Sequence, residues 1–556
     1  MKQELEAAVA GIVKDLFDAD VDIELTRPDE QFGDYATNVA LQLAAKLNNN
    51  PREIAETLLE KLQQIEGVEK VEIAGPGFVN LTLQPMALWH CTHQAIGQAY
   101  AGQEVLVEYG DPNPFKEMHI GHVYSYIVGD AIARLLEASG AKVDRLSYHG
   151  DVGLHVAKAI WGMRAEGVDP ASIGDAMKVD IGIYYAKGSK AYEEDENTRD
   201  EIHAINEHIY KKDDTGINEL YEWGRQKSFG YFNEVLKDLQ VPEGKQYFES
   251  QTAQVGIDTV RENVGKVFKE SDGAIVYDGE KVGLHTRVFI TSKGLPTYET
   301  KDLGLAELKQ RDFPSASRSI IITANEQSEY FKVMLAALAE IDKPLADSIT
   351  HLSHGFVSLS SGKMSSRTGN VYSGVSAIAD IEQAIEKLYP EANQDNRNAA
   401  IKYHFLKHRL GSDVVYDVQE SFSIEGNSGP YLQYAHARAR SILAKAKASR
   451  HSEAQAEESQ ILHSVQYDMA LGAEERSLLR KISEYPEVVD KAVTELMPHH
   501  VCSYLYELAQ KFNSFYEHNR VIGDEREEVR LHLVKCYADT LKGGLELLGI
   551  TAPEQM

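Results

Sequence analysis

A chain of 556 residues, 43% hydrophobic and 26% charged, is too long for one ordinary core and suggests roughly three domains. No stretch approaches the apolar length of a membrane span, and the opening Met1-Lys2-Gln3-Glu4-Leu5-Glu6 is acidic and amphipathic rather than a signal peptide, so the expectation is a cytoplasmic protein with no membrane partner. Fifty-seven basic residues stand against 86 acidic ones, a net charge of −29; taken alone this argues for solubility and against a nucleic-acid partner, although a local basic track can coexist with it.

In chain order, residues 1–95 form an α+β module. It has an opening helix, the turn Gln31-Phe32-Gly33-Asp34-Tyr35, helices over Leu41–Leu47 and Pro51–Ile65, and strands around Val71 and over Val79–Leu83. The pattern changes after Ala95–Gln103. A strand over Glu104–Tyr109 is followed by a helix over His119–Ser139, with apolar positions at Ile120, Val123, Ile127, Ala131 and Leu135 before Gly140 stops it. A second strand, Lys142–Tyr148, leads into the turn His149-Gly150-Asp151-Val152-Gly153 and completes a strand-helix-strand unit. Residues of about 160–260, rich in charge and tyrosine, read as an insertion. The sheet pattern resumes at Gly273-Ala274-Ile275-Val276-Tyr277 and includes the buried-looking strand Ser319–Thr323. From about Ala399 the periodicity is helical nearly to the end, with no strand alternation of any length.

Two motifs carry chemistry. His119-Ile120-Gly121-His122 sits at a helix start, where unpaired backbone N–H groups and the positive end of the helix dipole favour phosphate and two imidazoles project toward the same anion. Gly121 removes a side chain that would block close approach of a base or ribose. Alone, such a pair also fits a metal fragment, a cap or a solvated face; zinc is the weaker rival, because no His-Glu-x-x-His pattern accompanies it and Cys91, Cys502 and Cys536 are isolated. Far downstream, Lys363-Met364-Ser365-Ser366 is by itself an ordinary Ser/Gly-rich surface turn. Together the two motifs read as an ATP site that activates an acid, with no metal ligated by the protein.

Further motifs surround these two. They are Phe32-Gly33-Asp34-Tyr35-Ala36-Thr37-Asn38, Gly75-Pro76-Gly77-Phe78-Val79-Asn80, Val107-Glu108-Tyr109-Gly110-Asp111-Pro112-Asn113, Tyr298-Glu299-Thr300-Lys301-Asp302-Leu303 and the run from Asn427 to Arg438. With them, essentially the whole chain resembles the arginyl-tRNA synthetases, a class I aminoacyl-tRNA synthetase family. The resemblance implies an α+β N-terminal tRNA-contacting domain (1–95), an α/β Rossmann-like class I catalytic domain with a helical insertion (96–398) and an all-α anticodon-binding bundle (399–556). A small nucleotidylyltransferase, which also uses a His-x-Gly-His helix start, would lack the long helical end, and a non-catalytic paralogue would show broken signatures.

The same resemblance implies activation of L-arginine by ATP, with Mg2+ on the phosphates, and transfer of the arginyl group to tRNA(Arg) by a monomer. His119, Gly121, His122, Lys363, Ser365 and Ser366 would serve ATP. A guanidinium is a planar fork of donors that needs in-plane acceptors; the family positions that read it match Glu108, Tyr298 and Asp302, and those holding the amino and carboxylate end match Asn113 and Gln327. Ser366-Arg367 stands where many class I enzymes have a second lysine, and Lys116, just before the first signature, is expected to take over its charge. Lys301, Tyr330 and Asp151-Val152-Gly153-Leu154-His155 also depart from common forms of the family. For RNA, Tyr431, Tyr434 and His436 offer stacking and Arg438 and Arg440 offer cations; the alternative is a tyrosine core and a solvated basic face.

Overall fold

The computed structural model describes the chain except residues 93, 173–179, 360–373 and 451–470. The N-terminal module places helices α1 (Lys2–Phe17), α2 (Val39–Leu47) and α3 (Pro51–Leu62) on an antiparallel sheet of β1 (Tyr35–Thr37), β2 (Val68–Ala74) and β3 (Phe78–Leu83), ordered β1-β3-β2. Leu5, Val9 and Val13, one helical turn apart, form the buried stripe of α1. Helix α4 (Pro85–Thr92) leads out of the module.

A five-stranded parallel sheet organises the centre. Its strands are β4 (Glu104–Glu108), β5 (Lys142–His149), β6 (Lys245–Phe248), β10 (Ala316–Ala324) and β11 (Ile349–His354), in the order β11-β10-β4-β5-β6. Helices cover both faces, which is why Val105-Leu106-Val107 and Ile320-Ile321-Ile322 are buried as continuous runs rather than in alternation. The third strand lies at one edge, the fifth at the other, and the direction of winding reverses between β4 and β10. In a sheet of this kind ligands bind beyond the carboxyl ends of the strands at that reversal.

Helix α5 (Ile120–Ala138) connects β4 to β5. The insertion follows β5 as α6 (Leu154–Ala165), α7 (Gly182–Glu194), α8 (Glu196–Lys211) and α9 (Thr215–Asp238). The core sheet takes up again at β6, earlier than the sequence pattern indicated, and α10 (Glu249–Glu262) follows it. The run Gly273–Tyr277 does hold a strand, but in a separate antiparallel sheet of β7 (Phe268–Ser271), β8 (Ala274–Tyr277) and β9 (Arg287–Ile290). A four-residue apolar strand looks the same whichever partner it finds, so the pairing was not readable from the run itself.

Helices α11 (Tyr298–Asp312), α12 (Ser328–Ile341) and α13 (Lys343–Ser348) flank β10 and β11. Beyond β12 (Val357–Leu359) come α14 (Gly374–Leu388), α15 (Gln394–Leu406), β13 (Val414–Tyr416), α16 (Val418–Ser421), α17 (Gly429–Arg450) and four more helices within 473–547. Strand β13 pairs with β12 and interrupts the stretch read as wholly helical; three residues are too few to show alternation. Among the described residues no helix is long and apolar enough to cross a membrane.

The first and last domains hold each other directly. Buried Asp34 accepts from the backbone N–H of Leu83 at 2.7 Å and from Arg476 Nη2 at 2.6 Å, with Arg480 Nε at 3.4 Å. Nearby, Arg27 pairs with Glu487 at 2.6 Å, and the Tyr35 hydroxyl donates to the same carboxylate.

Candidate active site

The site is built where β4 ends. Gly110 has φ +89°, and a Cβ there would stand 2.3 Å from the Tyr126 ring of α5, so only glycine lets the chain turn this close to the helix. Its N–H donates to Ser125 Oγ at 3.0 Å, and that hydroxyl donates to the Ile322 carbonyl at 3.3 Å, tying the turn to α5 and β10. His149, at the end of β5, contacts the Pro112 carbonyl through Nδ1 at 2.7 Å and Ser147 Oγ through Nε2 at 2.9 Å. A carbonyl can only accept, so Nδ1 carries the proton. Burial holds this imidazole down to about 4, and it is neutral. Asn113 Oδ1 accepts the Gly150 N–H at 3.0 Å, which leaves the amide nitrogen as donor.

At the start of α5 the two signature histidines stack, ring centroids 3.5 Å apart and planes 24° from parallel. His122 Nδ1 accepts the backbone N–H of His119 at 3.1 Å, so in the neutral ring the proton sits on Nε2, a donor. Desolvation, then His354 and Lys116, hold His119 down to about 4; desolvation and His119 itself hold His122 well below the usual range. Two stacked imidazoles do not both charge. In the free enzyme the pair is therefore neutral, and it meets phosphate as hydrogen-bond donors at a helix N-terminus. At Gly121 the first thing a Cβ would meet is the His119 ring, with Nδ1 at 3.0 Å and Cε1 at 3.1 Å. The glycine thus makes room for its neighbouring imidazole.

Beside the histidines a cavity of about 260 Å³ is lined by Asn113, Lys116, His155, Tyr185, Glu249, Tyr298 and Lys301, among others. Lys116 Nζ lies 4.9 Å above the ring of Tyr185, a residue of α7 in the insertion. The Phe115 N–H donates to Ser228 Oγ of α9 at 2.9 Å, so the insertion also holds the backbone before Lys116. Lys301 is ion-paired with Glu249, both buried. Asp151 accepts from Ser250 N and Oγ at 2.9 and 2.7 Å and from Tyr221 at 2.8 Å, closing the loop after β5.

The predicted guanidinium readers occupy two environments. Tyr298, at the start of α11, is exposed on the cavity wall. Asp302, one turn on, is buried, and so is Glu108. Burial and then Glu108 push the Asp302 carboxyl up to about 8, opposed by a hydrogen bond from Tyr330 and by Lys309. Asp111 belongs to the same cluster, raised well above its ordinary range by burial and then by Glu108. Lys309 Nζ lies 2.5 Å from Glu108 Oε2. Gln327 is exposed at the end of β10, its Oε1 3.5 Å from the Tyr330 hydroxyl.

The structure thus brings Asn113, Lys116 and Tyr298 onto one cavity, beside His119, Gly121 and His122, with Glu108 and Asp302 in a buried acid cluster. Lys363, Ser365 and Ser366 lie outside the described residues. Sequence reasoning missed Glu249, Tyr185 and Lys309. A signal existed for Lys309: it falls eleven residues after Tyr298, three turns along one helical face.

The RNA candidates divide. Tyr431 is buried and accepts from Asn513 Nδ2 at 2.9 Å; His436 is buried and donates from Nδ1 to the Pro553 carbonyl at 2.8 Å. Both are therefore core groups, contrary to the stacking role expected for them, because α17 is enclosed by the helices around it. Arg440 donates to Asp539 at 2.9 Å and to His436 Nε2 at 3.2 Å. Arg438 lies 4.6 Å over the Tyr516 ring, and Tyr434 is exposed.

Comparison with known proteins identifies the family. Residues 1–83 match the family described as the arginyl tRNA synthetase N-terminal domain, 86–409 that of the class I (R) tRNA synthetase catalytic domain, and 432–556 the DALR anticodon binding domain. The chain is 32% identical to the arginine–tRNA ligase of Limosilactobacillus reuteri and 28% identical to that of Porphyromonas gingivalis, covering 100% of this chain in each case and 100% and 99% of those proteins. Its fold is similar to that of Thermus thermophilus arginyl-tRNA synthetase, with a TM-score of 0.83 at 26% identity and full coverage of both chains. The chain belongs to the arginyl-tRNA synthetases, which use ATP to activate L-arginine and join it to tRNA(Arg).

Proposed function

We propose that the cavity beyond the carboxyl ends of β4 and β5 holds arginine, with Glu108 and Asp302 accepting from the guanidinium, Tyr298 covering it, and Asn113 and Gln327 holding the amino and carboxylate end. The observation that supports this most is the buried acid cluster of Glu108 and Asp302 next to an open cavity that Asn113 and Tyr298 line. A buried carboxyl raised toward neutral pH costs the ligand-free protein free energy that a fixed cation returns on binding.

The arginine carboxylate attacks the α-phosphate of ATP in line, and adenylate forms as the bond to diphosphate breaks. Catalysis is then mostly positioning and charge neutralisation. His122 Nε2–H and the α5 N-terminus would donate to the phosphates, Gly121 would leave room for the His119 ring beside them, and Lys116 would carry the charge that Arg367 does not supply as a second lysine. Lys363, Ser365 and Ser366 are assigned to the β and γ phosphates by the family pattern. The groups nearest the phosphate position are histidines and a lysine, which do not fit a hard oxygen-seeking cation, so Mg2+ would enter on the oxygens of ATP.

We further propose that residues 1–95 touch tRNA outside the anticodon, that 399–556 read the anticodon with exposed groups such as Tyr434 and Arg438, and that the enzyme works as a cytoplasmic monomer. The test is arginine-dependent pyrophosphate exchange with and without tRNA(Arg), with lysine and citrulline as competitors. Arginine alone supports exchange; equal use of citrulline, which keeps the shape and loses the charge, refutes the roles of Glu108 and Asp302.

A further inference from the structure

Three lysines are buried among the described residues: Lys301, Lys309 and Lys402. Lys301 answers Glu249, and Lys402 donates to the Gly549 carbonyl at 2.6 Å, where the last helix meets the catalytic domain. Lys309 differs in that its partner is a group assigned to the substrate. Its Nζ lies 2.5 Å from Glu108 Oε2, the two side chains 5% and 3% exposed. It stands on α11 with Tyr298 and Asp302, on the same face three turns and two turns further along, while Leu305 and Leu308 pack that helix against Leu106 and Leu146 of β4 and β5. One rigid helix therefore carries a residue of the cavity wall, an acid of the cluster and the cation of that cluster.

Glu108 and Asp302 are buried and Asp111 is half-buried beside them, close enough for the three carboxyls to repel one another. An ammonium on one oxygen of Glu108 neutralises part of that repulsion and fixes the plane of the carboxylate, whose second oxygen remains. We propose that Lys309 is a positioning residue for arginine specificity, holding the Glu108 carboxylate in the plane in which a guanidinium fork can be met. The proposal rests on the reading of Glu108 as a guanidinium acceptor.

The test uses the full-length enzyme in pyrophosphate exchange with tRNA(Arg) present, comparing Lys309→Met, Lys309→Arg, Glu108→Gln and the double variant Lys309→Met/Glu108→Gln. Lys309→Met raises the KM for arginine about 30-fold and leaves the KM for ATP within about twofold, Lys309→Arg recovers most of the loss, and Lys309→Met adds less than about threefold once Glu108 is already Gln. If Lys309→Met fails to fold, the double variant, which buries no unpaired charge, is compared with Glu108→Gln alone and must match it. Multiplicative effects in the double variant, or parallel losses for arginine and ATP, overturn the proposal. If Glu108→Gln raises the arginine KM and Lys309→Met does not, Lys309 alone falls. If Glu108→Gln leaves that KM unchanged, the reading of Glu108 falls and Lys309 with it.

Discussion

Asp302 makes arginine binding a proton-linked event. Its carboxyl, pushed up to about 8 by burial and by Glu108, is ionised in only about one molecule in eleven of the free enzyme at pH 7. A guanidinium needs the ionised form, so binding must expel the proton, at a cost of about 1.4 kcal/mol at pH 7, or about tenfold in affinity. The expected profile is an arginine affinity that rises about tenfold per pH unit up to pH 7 and levels above 8. Stability runs the other way. The folded value lies above the unfolded one, so the stability this carboxyl contributes is full at acid pH and is lost as pH rises to about 8. The measurements are the arginine KM in exchange from pH 6.0 to 8.5 with the ATP KM as control, and proton release by calorimetry at pH 7 in two buffers of different ionisation enthalpy. Asp302→Asn should lose both affinity and slope. An arginine affinity independent of pH over this range, with no proton released, would refute the reasoning.

Lys116→Ala should lower the rate of adenylate formation at least about tenfold with the arginine KM nearly unchanged, because the cation acts on phosphate; normal single-turnover activation would remove it from the site. Gly121→Ala places a methyl 3.0 Å from the His119 ring, so the stacked pair must shift by tenths of an ångström. The expected result is a raised ATP KM and a kcat lower by about tenfold, with an unchanged melting temperature; a lowered melting temperature would mean that the glycine serves the fold instead. Asp34→Ala leaves Arg476 and Arg480 facing a buried site without their carboxylate and should cost about 3 kcal/mol in denaturant unfolding, whereas a loss below about 1 kcal/mol would mark the contact as incidental.

What was readable in advance was local. The helix from His119 is dictated by a strand, a glycine and a 3.6-residue apolar period. What escaped depends on distant partners. Strand β6 is only four residues long, and Tyr185 reaches Lys116 from an insertion whose docking no periodicity specifies. Tyr431 and His436 suited RNA by residue type, but the same aromatic groups serve a helix enclosed on most sides, and only packing separates the two. The acid cluster was legible as single residues; that Glu108 already holds a lysine was not.

The contact between Asp34 and Arg476 spans 442 positions of chain. During synthesis the N-terminal module emerges first, and at about 5–20 residues per second the arginines that complete it arrive roughly 20–90 s later. In that interval a carboxylate meant for burial and the tyrosine beside it face water or whatever else is near. A chain cut short before residue 476 would lack both arginines and leave the Asp34 carboxylate without them.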